Sequence, residues 1–256
     1  MVDTTYEAAR TDSRRTAVPP KIRNLNANNE VPAYMSEVYD WAYVNPAKVG
    51  WLDRNIVVKT LLFGNDQRLM RAYLALIKPG MRVWQIAHVY GDLVVRAAQR
   101  VGAAGCFHLT DITPVQIEHG QRKIGHLPWV RVIRHDAAHF EGEGHAYDLI
   151  CSFFLLHEVP EEWKHAIVDN MLSQIPDSGE AVFVDYHRPA WWQPVGYILR
   201  VVNHFLEPFA KSLWEREISS YASQASMFEW EKECLFGGVY QIVRVRRRAS
   251  QNPAGC

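Results

Sequence analysis

Between Arg82 and Tyr186 the chain repeats one unit: a short β-forming run, a turn, then an amphipathic stretch long enough for three helical turns or so. Strands are read at 82–87, 106–111, 130–134, 147–153 and 181–186, with helices at 92–101, 113–124 and 161–175. Successive strands separated by helices of this length do not pair as hairpins. They lie parallel in one sheet and need cover on both faces. Two later β-rich runs, 227–235 and 239–246, are joined by Phe236-Gly237-Gly238 and read as a hairpin-like pair at the sheet edge. Upstream, apolar positions from Pro32 to Ile77 are spaced by three and four, a helical pattern that Lys78-Pro79-Gly80 stops. No internal repeat is apparent.

With 256 residues, 48% of them apolar, the chain can bury one sizeable core. Basic and acidic residues both number 28, so bulk charge gives no basis for gripping nucleic acid, whose affinity comes largely from neutralised phosphates. The cysteines at 106, 151, 234 and 256 form no CxxC pair, which argues against a zinc ribbon or a disulfide framework and fits a reducing compartment. No apolar run reaches the roughly 18 residues of a membrane span, and residues 1–30 have no apolar signal core. The expected organisation is a mobile tail at 1–30, one domain over 31–248 with helical lid segments at 32–77 and 190–226, and a flexible end at 249–256.

In an open α/β sheet the ligand binds outside the carboxyl ends of the strands, closest to the first strand–helix turn. Here that turn is VWQIAHVYGD, residues 83–92. It resembles, with changes, the acid-x-Gly-x-Gly-x-Gly turn of class I S-adenosylmethionine methyltransferases. Gln85 stands at the acid, Ala87 and Val89 replace the first two glycines, and Gly91 keeps the third. Asp111 ends the second strand, where an acid accepts ribose hydroxyls, and Asp136 follows the third, near the expected adenine edge. The resemblance implies a Rossmann-like class I fold with a mostly parallel seven-stranded sheet and helices on both faces. It implies S-adenosylmethionine as cofactor, held by Gln85, Ala87, His88, Tyr90, Gly91, Asp111, Ile112, Asp136, Ala137 and Phe153.

Less usual pieces point further. PAYMSEVYDWAYVNP (32–46), the VYGD turn, CSFFLLHEVP (151–160), FVDYHRP (183–189), FLEPFAKSLWEREI (205–218) and FGGVYQ (236–241) together resemble the rhodoquinone biosynthesis protein family, which is methyltransferase-like. The similarity runs from Val31 to Arg246. It implies conversion of ubiquinone to rhodoquinone, with a ring methoxy group exchanged for an amino group, S-adenosylmethionine as nitrogen donor and a manganese ion assisting.

An amino donor must be neutral to attack, and a nearby carboxylate raises an amine's pKa by about one to three units. Gln85 in place of an acid removes that opposition. His157 and Glu158 after the fourth strand, with Asp185 and His187 after the fifth, are expected to converge as the catalytic group, Asp185 and His187 doubling as metal ligands. Tyr39 and Tyr43, four apart on one helix face, are the expected quinone contacts.

The apolar stripe Trp191, Val195, Ile198, Val202, Phe205, Phe209 and Leu213 reads first as packing on the sheet or the N-terminal helices, and second as membrane contact. A membrane-dwelling acceptor implies a cytoplasmic protein bound peripherally to the inner membrane through Trp191 and Trp192. Arg244 to Arg248 reads as a solvated strand end, with anionic lipid as its second reading. The competing functions are a conventional methyltransferase acting on a lipophilic quinone or phenol, and a non-catalytic cofactor-binding scaffold.

Overall fold

The computed structural model describes residues 31–32, 35, 53–142, 146–205 and 209–249, with backbone alone for 202–205. Residues 1–30 and 250–256 therefore lie outside the described residues, as do Tyr39, Tyr43 and the stretch 36–52 of the first lid segment. Seven strands form one sheet in the order β3-β2-β1-β4-β5-β7-β6. The strands are β1 (Arg82–Ile86), β2 (Cys106–Asp111), β3 (Val130–Arg134), β4 (Leu149–Phe153), β5 (Glu180–Tyr186), β6 (Phe228–Leu235) and β7 (Tyr240–Arg247). β1 to β5 pair in parallel, while β7 runs antiparallel to both β5 and β6. The strand order reverses beside β1, which pairs with β2 on one side and β4 on the other, and that crevice is where a parallel sheet offers its ligand site.

Alternation along the strands divides the core in two. Val83, Leu109, Cys151 and Val184 face one layer with α2 (Asp66–Leu74) and α3 (Leu93–Val101). Trp84, Ile86, Ile150 and Phe183 face the other, with α5 (Glu161–Gln174). The short α1 (Asn55–Leu61) precedes α2, and α4 (Pro114–Ile124) follows β2. After β5 come α6 (Val195–Phe205) and α7 (Lys211–Glu215).

The expected lid at 32–77 is corrected in part. Leu69, Tyr73, Leu74 and Ile77 are buried in the core, so α2 is a wall of the sheet. The expected packing of the late apolar stripe is also corrected in part: Leu213 is buried and Val195 packs against the core, as expected. Leu199 is buried, but Ile198 and Trp191 face outward. No helix among the described residues is long and apolar enough to cross a membrane.

Candidate functional site

The turn after β1 keeps the shape that glycines usually supply, without the glycines. Ala87 takes φ +62°, the left-handed region, and its N–H still meets the Thr110 carbonyl at 2.8 Å. A β-carbon there costs about 1–2 kcal/mol, strain that persists only where the surroundings hold it. His88 N–H supplies that hold by donating to Asp111 Oδ2 at 2.9 Å. Gly91 is required as glycine: its φ is +86°, and a β-carbon would come within 3.0 Å of Asn55 Oδ1. Its N–H donates to Asp53 Oδ1 at 2.8 Å, tying the turn to the segment before α1.

Gln85 is fully buried and lies in register with Leu109 and Cys151, beneath the turn. Its Nε2 donates to the carbonyls of Ile86 (3.1 Å) and Ala87 (3.4 Å), while Oε1 has no hydrogen-bond partner.

A cleft of about 690 Å³ opens over the tips of β1, β2 and β4 and the turn after β3. Of the expected cofactor residues, Ala87, His88, Asp111, Ile112, Asp136 and Ala137 line it. Tyr90, Gly91, Gln85 and Phe153 do not. Tyr90 accepts a hydrogen bond from Gln116 Nε2 at 2.7 Å, and burial pushes its phenol pKa up. Phe153 is the last residue of β4 and points into the core beside Tyr73; the following Phe154, at φ +54°, takes the place in the cleft wall.

Asp111 Oδ1 accepts from the Thr113 N–H and hydroxyl, both at 2.8 Å. Burial raises its pKa more than these donors and His88 N–H lower it. For Asp136 the balance runs the other way. Burial would raise it, but His139, the Ala138 N–H (2.9 Å) and the Trp163 indole N–H (3.3 Å) hold it below the usual carboxylate range.

Beside the tips of β4 and β5 the structure builds a chain of three groups. Asp185 Oδ2 accepts the Leu156 N–H and Oδ1 meets His157 Nδ1, each at 2.8 Å. The other ring nitrogen of His157 faces Glu158 Oε1 at 3.7 Å. Glu158 alone of the three lines the cleft. His187 is not in this chain: its Nδ1 is 3.1 Å from the Gly238 carbonyl, toward the β6–β7 turn, and burial pulls its pKa down. The expected metal pair Asp185 and His187 is therefore corrected. Asp185 is committed to His157 and to backbone amides, and His187 belongs to another corner.

A different trio is brought together. Asp53, His88 and His119 place candidate ligand atoms within 4.8 Å of one another, the one group of three or more such residues among those described. His88 is buried with neither ring nitrogen in hydrogen-bond geometry; burial foremost, then the Lys123 ammonium, push it down to about 3. Imidazole and carboxylate suit a divalent ion. Against that fit stands Lys123, whose Nζ already meets Asp53 Oδ1 at 2.5 Å, while His119 Nε2 meets Oδ2 at 2.7 Å. Sequence reading missed Asp53 and His119, which lie 66 positions apart.

Residues 83–179 match the methyltransferase domain family model. An uncharacterized methyltransferase of Synechocystis sp. is 24% identical over 217 residues, 83% of this chain and 97% of the relative. A ubiquinone/menaquinone biosynthesis C-methyltransferase of Idiomarina loihiensis is 28% identical over 116 residues, 44% of this chain and 45% of the relative. Among solved structures, an O-methyltransferase family protein of Burkholderia thailandensis aligns with TM-score 0.56 at 12% identity, over 76% of this chain and 60% of that one. With its glycine-poor first turn, the chain carries a match to the methyltransferase domain family over residues 83–179, on a seven-stranded Rossmann-like fold shared with solved methyltransferases.

Proposed function

We propose that this chain is an S-adenosylmethionine-dependent transferase whose acceptor is a lipophilic quinone or phenol ring. One observation carries the cofactor half: Asp111 and Asp136, from two successive strand ends, line a single cleft with the β1 turn. In this reading Asp111 accepts the ribose hydroxyls, Asp136 and Ala137 meet the adenine edge, and the turn from Ala87 faces the methionine end. The quinone methyltransferase among the relatives supports the acceptor class and methyl transfer as the reaction. When bound, the cofactor supplies a methyl group on a sulfonium. Glu158 takes the acceptor's proton at the cleft wall, with His157 and Asp185 holding it in place from behind.

A second reading, exchange of a ring methoxy for an amino group as in rhodoquinone formation, is favoured by Gln85. The neutral carboxamide, buried beneath the turn and outside the cleft lining, adds no negative charge that would fix an extra proton on an amine bound above it, as a carboxylate would. The structure tempers this argument. Because Nε2 donates to two carbonyls, an acid here would set buried charge against them, so local packing also calls for an amide. If a divalent ion such as manganese takes part, Asp53, His88 and His119 would hold it only once Lys123 leaves Asp53.

The test is incubation with ubiquinone, or with a ring lacking one methyl, and S-adenosylmethionine labelled separately at its methyl and amino groups. Methyl label in the ring, with S-adenosylhomocysteine formed, supports methyl transfer. Amino label in the ring supports the second reading. Tight cofactor binding with neither label transferred leaves a scaffold.

A further inference from the structure

The segment between β5 and α7 presents large apolar side chains outward on a rigid support. Trp191 is 86% exposed and Trp192 59%, and Tyr197, Ile198 and Val201 on α6 are exposed beside them. Among the described residues nothing covers this face. It is firmly attached. Ala190 N–H donates to the Gly237 carbonyl at 2.8 Å, the buried Gln193 donates to the Phe236 carbonyl at 2.9 Å, and the Trp192 ring leaves no room for a β-carbon at Gly237. Rigid exposed tryptophans in the turn before a short helix suit the bilayer interface, where an apolar ring with a polar edge is most at home.

Beside the patch lies a notch of about 300 Å³ whose walls include Arg188, Arg200, Tyr197 and Trp214. Neither arginine has a carboxylate within ion-pair distance among the described residues; Arg200 stacks over the Tyr197 ring at 5.4 Å. The Trp214 indole N–H is buried without an acceptor. Two uncompensated guanidinium groups and an orphan donor in one hollow, rimmed by exposed indoles, match a phosphate at the level of lipid headgroups.

We propose that this face docks on an anionic phospholipid bilayer, with Trp191, Trp192 and Ile198 in the interface and a headgroup phosphate between Arg188 and Arg200. The proposal rests on the surface itself, so vesicle binding can succeed or fail whatever group the enzyme transfers.

The test uses the full chain with vesicles of phosphatidylcholine, alone or mixed with phosphatidylglycerol, at about 0.1 M salt. The expected result is co-sedimentation with the mixed vesicles and a blue shift of tryptophan fluorescence. Replacing both arginines, Arg188→Gln with Arg200→Gln, should weaken the partition about thirtyfold, since each basic residue near such a surface contributes about fivefold. Trp191→Ser with Trp192→Ser should abolish the blue shift and lower recovery. Circular dichroism checks that these surface variants fold. Equal recovery of parent and variants, or a parent that stays in solution, overturns the proposal. So does a concentration-dependent dimer lost in the tryptophan variant, which assigns the face to a second copy. Protection by inorganic phosphate without vesicle binding assigns the notch to a free anion and overturns it too.

Discussion

The two walls of the cleft hold their acids differently. On the β1–β3 side, Asp111 is met by backbone amides and a hydroxyl, and Asp136 by an amide, an indole and, at 3.9 Å, the His139 ring. The hydrogen bonds on Asp111 all come from groups that do not titrate in the working range, so that part of the wall is a fixed template. On the β4–β5 side, Asp185 meets an imidazole, and the imidazole faces Glu158. There a proton can change hands. A transferase needs both properties: a rigid seat for the donor and a movable proton beside the acceptor.

The largest effect should come from the movable side. Glu158→Gln keeps shape and removes the proton acceptor, so turnover should fall by about 10²–10⁴ while cofactor affinity, measured by calorimetry, stays within about twofold. Asp185→Asn should give a smaller loss and displace the pH–rate profile, because His157 loses a charged partner. If both variants bind cofactor poorly, the division between the walls is wrong.

Next comes the template. Asp111→Ala leaves the N–H groups of His88 and Thr113 without their acceptor and removes the proposed ribose partner. Each charge-assisted hydrogen bond contributes about 1.5–3 kcal/mol, so cofactor affinity should drop about a hundredfold and the melting temperature should fall as well. An Asp111→Ala variant that binds normally would separate this cleft from the cofactor.

How much of this could be read beforehand depends on which interactions set each feature. β1 to β5 are legible because short β-forming runs recur between helix-length segments, and β2 and β3 agree with expectation to the residue. Asp111 and Asp136 are legible because strand ends fix where acids emerge. The left-handed Ala87 is not, since positive φ is inferred from glycine and here neighbouring hydrogen bonds impose it. The trio of Asp53, His88 and His119 is not, because nothing local links a pre-helix loop to the middle of α4. On α6 the spacing gives an apolar stripe, but adjacent residues differ by about 100° around a helix. Leu199 is therefore the buried one, joining the core, and Ile198 the exposed one, a choice that tertiary packing makes and spacing alone does not.

His88 sharpens the comparison through pH. Its folded pKa of about 3 lies below the ordinary 6.5, with burial as the leading cause; Lys123 and His119 reinforce the shift and Asp53 opposes it. The unfolded chain therefore binds a proton that the folded one refuses. Stability is full above about 6.5 and declines as pH falls toward 3. In chelator-treated protein, urea midpoints between these limits should decline, and His88→Leu should flatten the decline. Mn(II) added near neutral pH should bind the parent, followed by electron paramagnetic resonance, and not His119→Ala, if the trio holds an ion.

The smallest effect tests whether the template's strain is local. At Ala87 a glycine would relieve about 1–2 kcal/mol of left-handed strain and return about 0.5–1 kcal/mol through added freedom in the unfolded chain. Ala87→Gly should therefore stabilise by less than about 1 kcal/mol, a rise of a few degrees or less in melting temperature. The same variant loosens the backbone on which His88 N–H is aimed at Asp111. If the strained alanine serves only to shape the turn, cofactor affinity stays level as stability rises. If it pre-sets the amide, affinity falls while stability rises, and the opposite signs identify a turn in which rigidity is kept at the expense of stability.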